Sequence, residues 1–367
     1  MKILSYEFKK FILSKRNLII LGLIFLAIAF VNLPSLPGLS GSSTVLKSSL
    51  LATAKSNFSQ TPSTQPESKL YAGQIKAIEE NNPNQYWHYA YVLDEEIIKN
   101  ASNPNETISA DEVSDTKAEL RYIALVKQRH LTFEWQQGNQ THAFGDFVEG
   151  SLQAMGFSIF TLLFAILVST PLSSFFESGE NRFSNFIHIS SRQTLLSKVL
   201  VGVVVTFFWL LIISIINILV LGLINGFGSF NYPASLWNNG MSPTPSNMAI
   251  PVGLVCVLSL LYFILILLFL ASLGALLSAL TKRSLVVIGI IAILVVGWSL
   301  IETQPMVQAI RPYVPMSYLN PVELLSYPTY LFKNASFGIG AGYLASLSLL
   351  CLVLANGFMK NYRLRRI

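Results

Sequence analysis

Long apolar runs alternate with short polar islands along most of the chain, and one much larger polar stretch interrupts them early. The runs lie at about 17–33, 151–170, 199–223, 250–280, 285–301 and 337–358. Each approaches or exceeds the roughly 18–20 residues that carry a helix across a bilayer. In lipid a single segment can satisfy its backbone polar groups only as a helix. The pattern therefore predicts an all-α polytopic membrane protein with six transmembrane helices.

The first sixteen residues carry a different period. Leu4, Phe8, Phe11 and Ile12 fall on one helical face while Lys2, Lys9 and Arg16 point elsewhere, which predicts an amphipathic helix lying along the membrane surface ahead of span 1. Ala27-Ile28-Ala29 resembles a signal-peptidase site, but the leader is long for a signal peptide and the apolar run continues beyond it, so a retained span is expected.

The large polar stretch, 34–149, opens with Pro34, Pro37, Gly38 and Gly41 and then resumes helical periodicity. Tyr86, Tyr89, Ala90, Leu93 and Ile97 form one stripe, and Val113, Leu120, Ile123 and Ala124 another. Weaker stripes run through Leu46, Leu50 and Ala54 and through Tyr71, Ile75 and Ile78. Ser109-Ala110-Asp111-Glu112 reads as a capping box opening a helix. A mainly helical extracellular domain between spans 1 and 2 is expected, with a turn or short hairpin over Trp135–Phe147 returning to the membrane.

Between spans 5 and 6, the segment 302–336 carries Pro305, Pro312, Pro315, Pro321 and Pro328. Asn320-Pro321-Val322-Glu323 has the form of a helix start, with Asn as cap, Pro at the first position and Glu three residues after the cap. A short helix at or dipping into the outer leaflet is one reading, an ordinary external loop the other. Phe227, Phe230, Tyr232 and Trp237, in the loop after span 3, suit a headgroup interface.

Charge sets the expected orientation. The leader, the 173–198 loop, Lys282-Arg283 and the tail with Lys360, Arg363, Arg365 and Arg366 hold 14 Lys and Arg against 3 acids, whereas 34–149 holds 9 against 14. Short basic loops stay cytoplasmic, so both termini are expected inside and the polar domain outside.

Composition then narrows function. Charged residues make up 12% of the chain, about half the usual share for a soluble domain. None falls in the middle of an apolar run, and coupled-ion transporters normally need an ionisable group there. The chain has no phosphate-loop motif and no His-Glu-x-x-His zinc helix. The two cysteines, Cys256 and Cys351, lie inside apolar runs and make no paired metal motif. His88, His130 and His142 lack metal-ligand spacing, so no metal site is expected. Gly38-Leu39-Ser40-Gly41 matches the Gly-x-Ser-Gly of rhomboid-type proteases, yet it sits in a polar linker with no histidine in any span to activate the serine. No catalytic residue and no directly bound cofactor are therefore expected, and if the chain moves a substrate uphill, the energy must enter from a separate chain.

The remaining polar island, 171–198, has a pattern of its own. It places Glu177, Gly179, Glu180 and Arg182 ahead of the apolar Phe186-Ile187-His188-Ile189, then Ser190-Ser191-Arg192, then Lys198 at the start of span 3. With six spans, an amphipathic leader and a proline-bearing segment before the last span, this resembles the permease subunit of ATP-binding-cassette exporters of the ABC-2 type, in particular bacterial members with an enlarged outer region. Where that family often has Pro before its Ser-Arg step, this chain has Ile189-Ser190.

The resemblance implies a multi-pass protein of the bacterial cell membrane that pairs with a second permease copy or sibling and with ABC ATPase subunits, which would hold ATP and Mg. It implies that Glu177, Gly179, Glu180, Arg182, Phe186, Arg192 and Lys198 couple the spans to the ATPase. Glu177, Glu180 and Arg182 would face the motor while Phe186 braces the spans. The cargo expected is amphipathic, peptide or lipid-like. Asn217, deep in span 3, makes either an interhelical hydrogen bond or a cargo contact; with Tyr318 and Asn320 it marks a candidate substrate path. A competing reading is a membrane-anchored sensor whose outer domain binds a ligand, although six spans exceed what anchoring needs.

Overall fold

The computed structural model describes residues 2–31, 42–63, 65–100, 110–135, 142–156, 158–180, 190–234, 250–326 and 335–364. Among these the chain is helical, its only strand-like feature an isolated bridge between Pro233 and Pro251. The longer helices are α1 (Lys2–Leu13), α2 (Lys15–Val31), α3 (Ser42–Gln60), α4 (Pro66–Glu79), α5 (Pro83–Asn100), α6 (Ala110–Gln128), α7 (Ser158–Glu177), α8 (Ser191–Asn225), α9 (Val252–Thr281) and α10 (Ser284–Ile301). After three 3-10 turns come the short α11 (Pro321–Ser326) and then α12 (Phe337–Leu364). Five of them, α7, α8, α9, α10 and α12, are long and apolar enough to cross a bilayer, and α1 with α2 makes a sixth if that pair, bent by 62°, is one span. These helices mark a multi-pass membrane protein.

The chain divides into two compact units. The first comprises Met1–Val31, Ser151–Asn217 and Val257–Ile367. In it α7 packs along α10, and small residues let α7 approach α9. A Cβ on Gly274 would lie 2.1 Å from the Ser169 Cβ, so only glycine fits there. Close backbone approach at small residues is how apolar helices associate in lipid, where burying apolar surface gives no advantage. Ser278, one turn on, donates to the Gly274 carbonyl (2.6 Å). On their other sides α10 and α12 carry exposed Leu285, Ile293, Leu349 and Val353, surfaces suited to acyl chains.

The amphipathic stripe of the leader divides between two roles. Phe11 is buried with Leu21, Leu167, Val201 and Val205, and Ile12 packs beside them, whereas Leu4 and Phe8 stay exposed. The second apolar run also differs from its sequence boundaries. Its long helix, described from Ser158, continues through Pro171 to Glu177. Pro171 removes one helical N–H, but the turns around it are braced by hydroxyls. Thr170 donates to Ile166 O (2.8 Å), Ser173 to Thr170 O (3.0 Å) and Ser174 to Pro171 O (3.1 Å).

The second unit, Asn32–Gly150 with Ile218–Cys256, is built around α3 to α6, each packed on the next. The tyrosine stripe of α5 turns inward at Ala90 and Leu93, but the centre of the core is Trp87, one residue off that stripe. Trp87 lies 5.8 Å from Tyr122 and 6.2 Å from Phe133, and its indole N–H donates to Glu134 O (2.7 Å). On α6, Tyr122, Ile123 and Val126 are buried and Ala124 is exposed, so the face sits slightly rotated from the stripe. The helix is described from Ala110 onward; Ser109, on which the capping box falls, lies outside the described residues. So do the linker 32–41, the core of the 135–147 turn and Trp237.

Candidate functional site

Helix α7 ends where the sequence places its signature. Gly179 has φ +75° and follows the last helical turn, where Ser178 N–H donates to Ser174 O (2.9 Å). A left-handed residue there closes a helix, and glycine adopts it without strain. Gly179 thus acts by stopping α7 and turning the chain.

Both flanking carboxylates are engaged inside the chain. Glu177 accepts from the backbone N–H of Ser284 (2.6 Å) and from its hydroxyl (2.7 Å). It therefore caps α10, whose own N-cap residue, Arg283, makes no side-chain cap. A carboxylate at a helix N-terminus is favoured by the unpaired N–H groups and the helix dipole. Ser173 Oγ lies 3.0 Å from Ser284 Oγ and reinforces the same junction. Glu180 pairs with Lys10 of the leader helix.

At the other end of the island, Ser190 caps α8. Its hydroxyl accepts from Gln193 N–H (3.2 Å) while the Gln193 side chain accepts from Ser190 N–H (3.3 Å). This reciprocal capping box was legible as Ser-x-x-Gln at 190–193. Arg192 is exposed in the first turn. Lys198, two turns in, is 3% exposed, and its ammonium donates to both oxygens of Glu7 (2.8 and 2.9 Å). The Phe175 ring lies 4.6 Å from the same ammonium. A buried ammonium needs such a partner, since stripping water from an isolated charge costs far more than a pair recovers.

Glu7, Lys10 and Ser284 are the residues that sequence reasoning missed. The signal for Glu7 was present: it is the single acid on a basic leader. Arg182 and Phe186 lie outside the described residues. Of the remaining residues expected to couple, Glu177, Glu180 and Lys198 are tied through their partners to α1 and α10, and Gly179 and Arg192 flank those ties. No protein-family model matches the chain, and comparisons with curated proteins and with solved structures return no match. The geometry therefore carries the functional argument unaided.

The candidate substrate path falls in two places. Asn217 is buried and its amide donates to Ser151 Oγ (2.7 Å), the interhelical bond expected of such a residue; Ser151 sits in a π-helical turn, Phe147–Leu152. Asn320 caps α11 as its sequence predicts, with Oδ1 accepting from Glu323 N–H (3.3 Å). Tyr318 is buried, and its hydroxyl donates to Pro312 O (2.8 Å). Asn320 and Glu323 line a cavity of about 330 Å3. It lies where α7 begins and α10 ends, since Ser158, Thr161, Trp298 and Glu302 are also in its wall. That is the end of the α7–α10 pair remote from the Glu177–Ser284 junction.

Proposed function

We propose that this chain is the membrane-spanning subunit of an ATP-driven exporter resembling the ABC-2 type permeases, with six spans, both termini cytoplasmic and residues 34–149 outside the cell. Its energy comes from separate ATPase subunits, and the segment 171–198 receives their push. The observation that carries this reading is the set of ties radiating from that segment: Glu177 to the first turn of α10, Glu180 to Lys10, and Lys198 to Glu7. A displacement of the segment is then borne directly by α1, α7, α8 and α10. A loop that merely linked two spans would need none of these contacts.

A partner can bias such a unit only through contacts that differ between its own two states. Among the described residues, the exposed groups available for that include Arg192 and the partly exposed Glu180. Arg182, in the same segment of the sequence, lies outside the described residues. The cargo would be an amphiphile, passing an apolar bundle without ionisable groups at mid-span.

The test is affinity purification of the native complex, identification of its partner, and measurement of ATP turnover. Arg182→Ala and Arg192→Ala together should lower recovery of the ATPase or its stimulation at least several-fold, with the permease still inserted and monodisperse. Unchanged complex and turnover in the double variant would remove the coupling role from this segment.

A further inference from the structure

The cavity between α7, α10 and α11 contains chemistry that contact with an ATPase does not use. Its volume, about 330 Å3, is within the ~300–1,000 Å3 typical of small-molecule sites. Glu302 and Glu323 stand in its wall with the indole of Trp298. Behind Glu302, the Arg311 guanidinium lies 3.7 Å from its carboxylate, so with both acids ionised the three charges leave one negative charge in excess. Ser317, also in the wall and 4% exposed, has a hydroxyl with no hydrogen-bond partner among the described residues. A buried polar group left unpaired costs roughly 1–3 kcal/mol, a cost relieved when something in the cavity bonds it. Gly156 keeps the wall clear, because a Cβ there would come within 2.5 Å of the Asn320 amide carbon.

We propose that this cavity binds the primary ammonium head of an amphiphile, with the Glu323 carboxylate as counter-ion, Ser317 Oγ as a hydrogen-bond acceptor and the Trp298 indole as a cation–π partner. The three donors of a primary ammonium match a carboxylate and a hydroxyl at once, and an indole is the strongest aromatic partner for a cation. An anion would meet an excess negative charge. A metal ion would want several oxygen ligands in one place, and no group of three or more His, Cys, Asp or Glu suited to a metal occurs among the described residues. That the bound amphiphile is cargo rests on the exporter reading; the binding chemistry does not.

The site should sense pH. Burial raises the Glu323 carboxyl to about 7, Glu302 at the end of α10 adding to the rise, while Arg311 and the Asn320 amide oppose it. The ammonium needs the ionised form. About one pH unit below that value only about a tenth of the carboxyl is ionised, so affinity should be about tenfold weaker near pH 6 than near pH 8.

The experiment is calorimetric titration of the full chain, in phosphatidylcholine nanodiscs without any ATPase, with octylammonium, octanol and octyl sulfate. Octylammonium alone should bind saturably, tightening about tenfold from pH 6 to pH 8. Glu323→Gln should abolish that pH dependence, and Ser317→Ala, which removes an unpaired hydroxyl and should fold normally, should weaken binding several-fold. Competition by added phosphatidylethanolamine would identify a lipid headgroup as the natural source, and its absence a free amphiphile. Equal binding of the three probes, preference for octyl sulfate, or affinity unmoved by Ser317→Ala and Glu323→Gln would overturn the proposal. Because no ATPase is in the assay, this outcome is independent of whether the purified complex contains one.

Discussion

Lys198 and Glu7 show how much one pair decides at the residue scale. Their side chains are 2% and 13% exposed, so neither charge can fall back on water if the other is removed. Removing one partner of a buried pair costs about 3–5 kcal/mol, whereas replacing both by apolar groups of similar size is often neutral. Glu7→Gln alone and Lys198→Met alone should therefore each lower the thermal unfolding midpoint clearly, while Glu7→Leu with Lys198→Met should recover most of the loss. The comparison is made by thermal denaturation of detergent-purified chains. A double variant as unstable as the two singles summed would show that the pair is not coupled. Lys10 and Glu180 are about one-third exposed, and such a pair contributes at most ~1 kcal/mol; their contact matters for connection more than for stability. His142 illustrates a different residue-level device. Its imidazole lies 2.8 Å from Glu134 and 2.7 Å from the Asn225 carbonyl. The bond to Glu134 raises its pKa, while partial burial opposes the rise. That stabilisation is complete below the ordinary histidine range and fades as pH climbs through the raised value.

Among the elements, α5 carries the most unusual charge. Asp94 is buried on the inner face of the α3–α6 bundle, with Oδ2 unpaired among the described residues. Burial pushes its carboxyl well above the ordinary carboxylate range, and Glu119 on α6 pushes the same way. The folded bundle therefore holds a proton that the unfolded chain releases near its ordinary value of 3.8. Where the folded state binds more protons, stability falls as pH rises, so α5 should be best protected in mild acid. Hydrogen exchange of its amides, corrected for intrinsic rates, should show protection lost between about pH 5 and about pH 9. Asp94→Asn should restore roughly 1–3 kcal/mol at the higher pH and flatten the profile. Equal protection at both pH values in the native chain would contradict the assignment. In α7 the helix runs through Pro171, with three neighbouring hydroxyls bonded to backbone carbonyls, and its end is fixed by Gly179.

At the scale of the whole molecule, the proposed layout puts α3–α6 outside the cell and the α9–α10 turn inside, because the short basic segments resist translocation. Both native cysteines are buried and free, so they can be replaced without breaking a bridge. In that background, a membrane-impermeant maleimide should label Ser59→Cys, an exposed position on α3, in intact cells. It should label Arg283→Cys, exposed between α9 and α10, only after permeabilisation. The reverse pattern would invert the topology and exclude a coupling role for 171–198.

The helical, membrane-crossing character was legible in the apolar runs alone, because a run of apolar residues long enough for lipid leaves the backbone no choice but a helix. So was the Asn320 cap, which depends on adjacent residues alone. Boundaries set by competition within a helix were less legible. Pro171 read as an end, yet α7 runs on through it to Glu177. What the tertiary structure alone decided is the use of the charges. Glu177 and Ser284 are far apart in sequence, as are Glu7 and Lys198 and the walls of the Glu302–Glu323 cavity, so no periodicity links them. Their pairing follows from how α1, α7, α8, α10 and α11 pack. It turns the polar island from a surface loop into a junction where those elements meet.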